Sequence, residues 1–200
     1  HNLHRNILDN SGISIEDYKL DPNTNEPTIF IGTQITDNNA DYIGSIIIEI
    51  NTNAINSIMY ENNPHNGLGK SGESYLAGSD FRMRSTSRFQ DYSTFNTEVK
   101  TIGLNKALND VTGTEIIKDY RDISVLSSYS KVDIPELNWA ILAEIDEKEA
   151  MVNARKDLNL MDDMGEKARG YCDKIIPFIE NIRYQCDKLE MLVDDELWPL

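Results

Sequence analysis

Residues 67–89, GLGKSGESYLAGSDFRMRSTSRF, decide the fold, because Gly67-x-Gly69-x-x-Gly72 spells a nucleotide-loop pattern while the residues after it spell strands. A dinucleotide loop leaves a buried strand, opens a helix whose N-terminus faces the pyrophosphate, and has an acidic residue about 20 positions on. Here the polar coil MYENNPHN precedes the glycines, and ESYLAG follows as a strand ending in a turn. A P-loop would need glycine where Pro64 stands, and a nucleophile elbow at Ser71 would need glycine where Glu73 stands. The glycines are therefore expected to shape a turn that enters a strand.

Working outward, ESYLAG and MRSTSRF read as two short strands joined at Gly78-Ser79-Asp80, which is turn chemistry. STFNTEVKTIGLNKALND sets Val99, Ile102 and Ala107 at helical intervals, with Gly103 weakening the pattern. TEIIKDY, ISVLSSYSKV and NWAILAEID give three more strands, the last two linked around Pro135. Upstream, TIFIGTQIT and YIGSIIIEI are β-branched runs separated by the polar cluster DNNAD, a hairpin signal. NTNAINSIMY then offers Asn51 or Thr52 as a cap for a short helix with Ile55, Ile58 and Met59 on one face. Strands, a helical crossover and a meander predict an α+β fold with an antiparallel five-stranded sheet over residues 73–146 and flanking helices.

Composition narrows the function. The 200 residues are 40% hydrophobic and 26% charged, which is the profile of a folded chain. A formal net charge of −15 argues against nucleic acid as a partner. No apolar run approaches the roughly 18 to 20 residues that cross a bilayer, IGSIIIEI being the densest, and no signal peptide opens the chain, so it is expected to be soluble as it stands. His1, His4 and His65 lack a second ligand at metal spacing. The calcium-like run Asp21-x-Asn23-x-Asn25 meets Glu26 and Gly32 where an EF-hand needs glycine and glutamate, so DPNTNEP reads as a turn. Neither a metal nor another cofactor is expected, and no nucleophile–base pair suggests an enzyme.

From Glu147 the pattern becomes helical. Positions 151, 158, 165, 172, 179, 186 and 193 read Met, Leu, Gly, Cys, Ile, Cys and Val, and positions 154, 161, 168, 175, 182 and 189 read Ala, Met, Ala, Ile, Ile and Leu. That is an apolar heptad stripe. Gly165, Gly170 and Pro177 leave two arrangements open: a rod that pairs with a second copy into a homodimer, and a hairpin that buries the stripe within one chain. Cys172 and Cys186, if on one helix, lie about 21 Å apart, beyond disulfide reach.

The order of GLGKSGESYLAGSDFRMRSTSRF, EVKT and DYRDISVLSSYSKVDIPELNWAILAEIDEKEA resembles the extracytoplasmic, PAS-like Cache sensors of the double-Cache type. The likeness spans about residues 27–155, where PTIFIGTQITDNNADYIGSIIIEI is similar to the last two strands of a membrane-distal module. It implies a remnant of that module and a linker helix over 1–60, a complete membrane-proximal module over 61–150, and a helical tail over 151–200. Two departures stand out: Asp122 replaces the glycine usual after DYR, and the amino-acid-binding signature of the distal module has no counterpart. RYQCDKLEMLVDDELWPL resembles the C-terminal helix of type III glutamine synthetases over the last 20 to 30 residues, which implies a junction near Met161–Met164.

The resemblance implies a non-catalytic sensing domain of a membrane-anchored receptor, of histidine kinase, chemoreceptor or cyclase type, with a small-molecule ligand between the sheet's inner face and its covering loops. Arg82, Arg84 and Arg88 lie within seven residues, and strand alternation sets Arg82, Arg84 and Thr86 on one face. An arginine fork suits a carboxylate, so a carboxylate-bearing ligand is expected. Tyr75, Tyr120 and Tyr129 are expected to supply aromatic walls, with Arg121 beside Tyr120. As a pocket cation, Arg84 is expected to stabilise the fold little. The other reading is a structural module in which the heptad tail makes the contacts.

Overall fold

The computed structural model describes residues 2–9, 12–22, 24–60 and 68–158. The heptad tail beyond Leu158, with Cys172, Cys186 and the junction near Met161–Met164, lies outside the described residues, as does Gly67. The elements run α1 (Asn2–Asp9), β1 (Ser14–Leu20), β2 (Pro27–Thr36), β3 (Tyr42–Asn51), α2 (Thr52–Tyr60), β4 (Glu73–Gly78), α3 (Ile102–Leu108), β5 (Gly113–Lys118), β6 (Ser124–Val132), β7 (Trp139–Asp146) and α4 (Glu147–Leu158). They build an antiparallel sheet of order β1-β2-β3 and a second antiparallel sheet of order β4-β7-β6-β5. The fold is α+β. Among the described residues no helix is long and apolar enough to cross a membrane.

The first sheet has one strand more than the hairpin signal announces. β1 carries no clean alternation and bulges between Glu16 and Lys19, so its strand state comes from pairing with β2 rather than from its own pattern. The Asp21–Glu26 turn joins the two, the Asp21 and Asn25 amides donating to Glu26 and Asp21 carbonyls. α1 covers the side of this sheet at Gly32, where an added Cβ would meet the Ile7 side chain at 2.4 Å. Asn51 caps α2, its side-chain oxygen accepting from the Ala54 amide at 3.2 Å.

The second sheet has four regular strands where five are expected. The MRSTSRF segment does lie antiparallel beside β4, the Arg84 amide donating to the Leu76 carbonyl at 2.7 Å and the Gly78 amide to Arg82 at 3.0 Å. It forms only isolated bridges because the side chains of two serines and an asparagine take the amides a ladder would use. Ser85 Oγ accepts the Leu76 amide at 2.9 Å, Ser93 Oγ accepts the Ser87 amide at 2.6 Å, and Asn56 Oδ1 accepts the Thr86 amide at 2.7 Å. Short polar side chains compete with strand pairing in this way.

Two cores follow from the pleat. Leu76, Trp139, Ile141 and Ala143 point from one face of the second sheet into a cluster with Ile15, Tyr18, Ile29, Ile55 and Met59, which fastens the two sheets together through α2. Tyr75, Ala77, Tyr129, Ala140 and Leu142 point from the other face onto Met83, Val99, Leu104 and Ala107. Gly103 lets α3 sit close on this face, since a Cβ there would meet Ile117 at 2.9 Å and Tyr129 at 3.0 Å. Asp122 itself takes a left-handed φ of 63°, so the residue standing in glycine's place adopts a glycine-type turn.

The glycine loop turns out to hold an anion of the chain's own. The Lys70 and Ser71 amides and the Ser71 hydroxyl donate to the Glu149 carboxylate of α4 at 2.9, 2.8 and 2.6 Å. Gly69, at φ 66°, approaches so closely that a Cβ would lie 2.6 Å from Glu149 Oε1. The turn fixes the start of α4 against the start of β4.

Candidate functional site

A cavity of about 350 Å³ lies where the first sheet and α2 meet the second sheet. Its walls are Ile15 of β1, Ile29 and Ile31 of β2, Ile50 of β3, Ala54, Ile55, Ser57 and Ile58 of α2, Ile134 and Leu137 of the β6–β7 connection, and Trp139 of β7. The strand positions fall here because Ile29, paired with Ile50, and Ile31, paired with Ile48, share one face of the first sheet. Among these lining side chains only those of Ser57 and Trp139 carry a polar atom. Ser57 donates its hydroxyl to the Ala54 carbonyl of its own helix at 2.8 Å, and Trp139 donates Nε1–H to Asp17 Oδ1 at 3.0 Å.

Three polar ties bridge the sheets around this cavity. The Ile15 amide donates to Glu136 at 2.8 Å, and the Asn56 side chain exchanges two 2.7 Å hydrogen bonds with Thr86. The third is the strongest. Arg84 is 3% exposed and places Nε and Nη2 on the two oxygens of Asp17 at 2.9 Å each, while Nη1 lies 2.9 Å from Asp80. Its guanidinium stands 5.9 Å from the centres of Tyr18 and Trp139 and 5.5 Å from Phe95. Tyr18 and Trp139 stack at 5.8 Å. The arginine fork therefore grips a carboxylate, and that carboxylate belongs to β1.

The opposite face of the second sheet holds a buried polar cluster. Glu73 and Glu144 are register partners, 1% and 0% exposed. Glu144 accepts from Tyr75 at 3.0 Å and from Ser127 at 2.8 Å. Glu73 accepts from Tyr120 at 2.7 Å, Ser87 at 2.7 Å and the Arg88 amide at 3.0 Å. Burial pushes the Glu144 carboxyl up to about 7; the Ser127 and Tyr75 hydrogen bonds oppose that, and the charges of Asp119 and Glu73 add to it. The same burial, with Glu144 and Glu73 nearby, raises the Tyr75 phenol well above its ordinary value.

The seven expected site residues divide among these places. Arg84 stands behind the cavity wall, while Arg82 lies at the surface over Phe95, donating to the Phe95 carbonyl at 3.0 Å. Tyr75 and Tyr120 meet edge to face at 5.6 Å beside the two glutamates. Arg88 Nη1 binds the carbonyls of Gly69 and Gly72 at 2.9 and 2.6 Å. Arg121 Nε donates to Asp119 Oδ2 at 2.7 Å, with Nη2 in ion-pair range of the same oxygen, and Tyr129 donates to Glu115 at 2.5 Å beside Lys106. None of the seven is among the residues that line this cavity. Sequence reading missed Asp17, Glu73, Glu144 and the isoleucine walls; a charged residue in each of the apolar runs ESYLAG and WAILAEID was the one signal available for the two glutamates.

No protein-family model matches the chain. The fold resembles solved sensory domains of bacterial chemoreceptors. The periplasmic sensory domain of a Campylobacter jejuni chemoreceptor superposes with a TM-score of 0.57 at 12% identity, covering 74% of this chain and 55% of its own. The ligand-binding domain of a Pseudomonas aeruginosa amino-acid chemoreceptor in complex with GABA gives 0.53 at 13% identity, covering 73% and 61%. That of a Pseudomonas fluorescens chemoreceptor with L-isoleucine gives 0.51 at 11%, covering 76% and 59%. The chain thus spans 55–61% of these domains' lengths. A glutamine synthetase of Bacteroides fragilis is 33% identical over 96 residues, which is 48% of this chain and 13% of that enzyme. The likeness is longer than the 20 to 30 residues expected from the tail.

Proposed function

We propose that the chain is part of an extracytoplasmic, non-catalytic small-molecule sensor of the Cache type, from a membrane-anchored receptor, with its ligand seated between the two sheets. The observation that carries this is the cavity of about 350 Å³, built from both sheets and α2 in a fold shared with chemoreceptor ligand-binding domains. A ligand touching both sheets would favour one relative placement of them, which is what a sensor needs. Arg84 acts in this reading as a positioning residue, holding Trp139 and β1 as one wall. Tyr75, Arg82, Arg88, Tyr120, Arg121 and Tyr129 brace the sheet that carries the wall.

A carboxylate-bearing ligand is the second reading, favoured by the fork on Asp17: such a ligand would take the Asp17 seat on Arg84. Thermal denaturation with a panel of amino acids, amines, small carboxylates and neutral aliphatics tests the function itself. A sensor gains RT ln(1 + [L]/Kd) of stability from at least one class. A purely structural module held together by its tail gains none from any.

A further inference from the structure

Resting on that sensor reading, we infer that the cavity between the two sheets takes an uncharged, branched aliphatic molecule and excludes free amino acids. Seven isoleucines, one leucine and Trp139 face it. β-branched side chains are stiff at χ1, so these walls hold their shape without a ligand. The volume is roughly twice that of a cavity known to hold one benzene, which leaves room for a ligand of up to about ten non-hydrogen atoms.

The polar atoms at the wall are already committed. Ser57 donates to its own helix and Trp139 donates to Asp17. Arg84, behind Trp139, is saturated by Asp17, Asp80 and the Arg82 carbonyl. An ammonium or carboxylate entering the cavity would lose its hydration and gain no charged partner, at most a lone pair of Ser57 Oγ, a cost that transfer of a charge into hydrocarbon makes prohibitive. A hydroxyl or ether at one end loses far less on the same partial burial at the mouth, because it carries no charge. The chemistry thus separates this chain from the neighbours solved with GABA and L-isoleucine, although the fold is shared.

Calorimetric titration of the whole chain with 4-methylpentan-1-ol, L-isoleucine and GABA tests this. The alcohol should bind one to one with a negative heat-capacity change, the mark of apolar burial, and the two amino acids should give no heat. Ala54→Phe, which fills the cavity from α2, should weaken the alcohol by about tenfold or more while the melting point holds. Ser57→Leu, on the same helix, repeats the test should the first variant fold poorly. Binding of an amino acid but not the alcohol would overturn this inference and leave the sensor reading standing. Heat from none of the three would overturn this inference, while the sensor reading then stands or falls with the thermal-denaturation panel, and unchanged alcohol affinity in both variants would remove the ligand from this cavity.

Discussion

Arg84 and Glu144 show how neighbours decide what a charged residue does. The sequence placed Arg84 on a strand beside other arginines and expected a ligand cation that stabilises the fold little. It is instead buried under three aromatic rings and holds two carboxylates of the chain. Arg84→Ala should therefore lower the unliganded stability by about 2 kcal/mol. Breaking a fully buried pair costs about 3 to 5, but Asp17 and Asp80 are 34% and 41% exposed and regain water. Urea unfolding measures this, and an unchanged midpoint would return Arg84 to a ligand role. Glu144 predicts a pH dependence. Its carboxyl is raised to about 7 in the folded chain, so the native state holds a proton that the unfolded chain releases near 4.5. The favourable state is complete below the unfolded value and is lost as pH rises through about 7, costing up to about 3 kcal/mol. Glu144→Gln cannot lose that proton. Its stability relative to the parent should rise between pH 5 and pH 8, and parallel curves would contradict the assignment.

Elements were legible where local chemistry and the fold agree. The β4 span and the runs of β2, β3, β6 and β7 could be read from apolar runs bounded by turns, and α2 from its cap. The fifth strand was misread because Ser85, Thr86 and Ser87 take part in side-chain hydrogen bonds that replace the ladder, which composition alone does not reveal. β1 escaped because its state depends on β2, whereas α1 carries a legible pattern, Leu3 and Ile7 four apart and both buried, that was not read. The glycine loop was correctly read as a turn, but its partner lies 78 residues away in α4. Hydrogen bonds from Lys70 and Ser71 outweigh burial and hold the Glu149 carboxyl below its ordinary value. The charged form is thus the one gripped, and its contribution is present above the unfolded pKa and fades as pH falls through the folded one. Glu149→Ala should cost about 1 to 2 kcal/mol and speed amide exchange in the first turn of α4. Unchanged exchange would show that the loop does not anchor the helix.

At the scale of the molecule, the two sheets share one core, and the cavity sits in the seam between them. No sequence pattern could announce it: Ile15 and Leu137 meet there from opposite ends of the described chain, brought together by contacts such as the Ile15 amide on Glu136. The arginines and tyrosines drew attention because their chemistry is visible in the sequence, whereas an isoleucine wall looks like any core. The described residues also place reporters on both faces of the second sheet. Ile117, 8% exposed, faces Gly103 and Tyr129 on the side away from the cavity, while Ile29, Ile55 and Ile134 line it. A methyl spectrum of isoleucine-labelled protein titrated with 4-methylpentan-1-ol therefore tests the central claim most directly. The account predicts shifts at Ile15, Ile29, Ile50, Ile55 and Ile134 with Ile117 unmoved; shifts centred on Ile117 with the cavity isoleucines unmoved would contradict it.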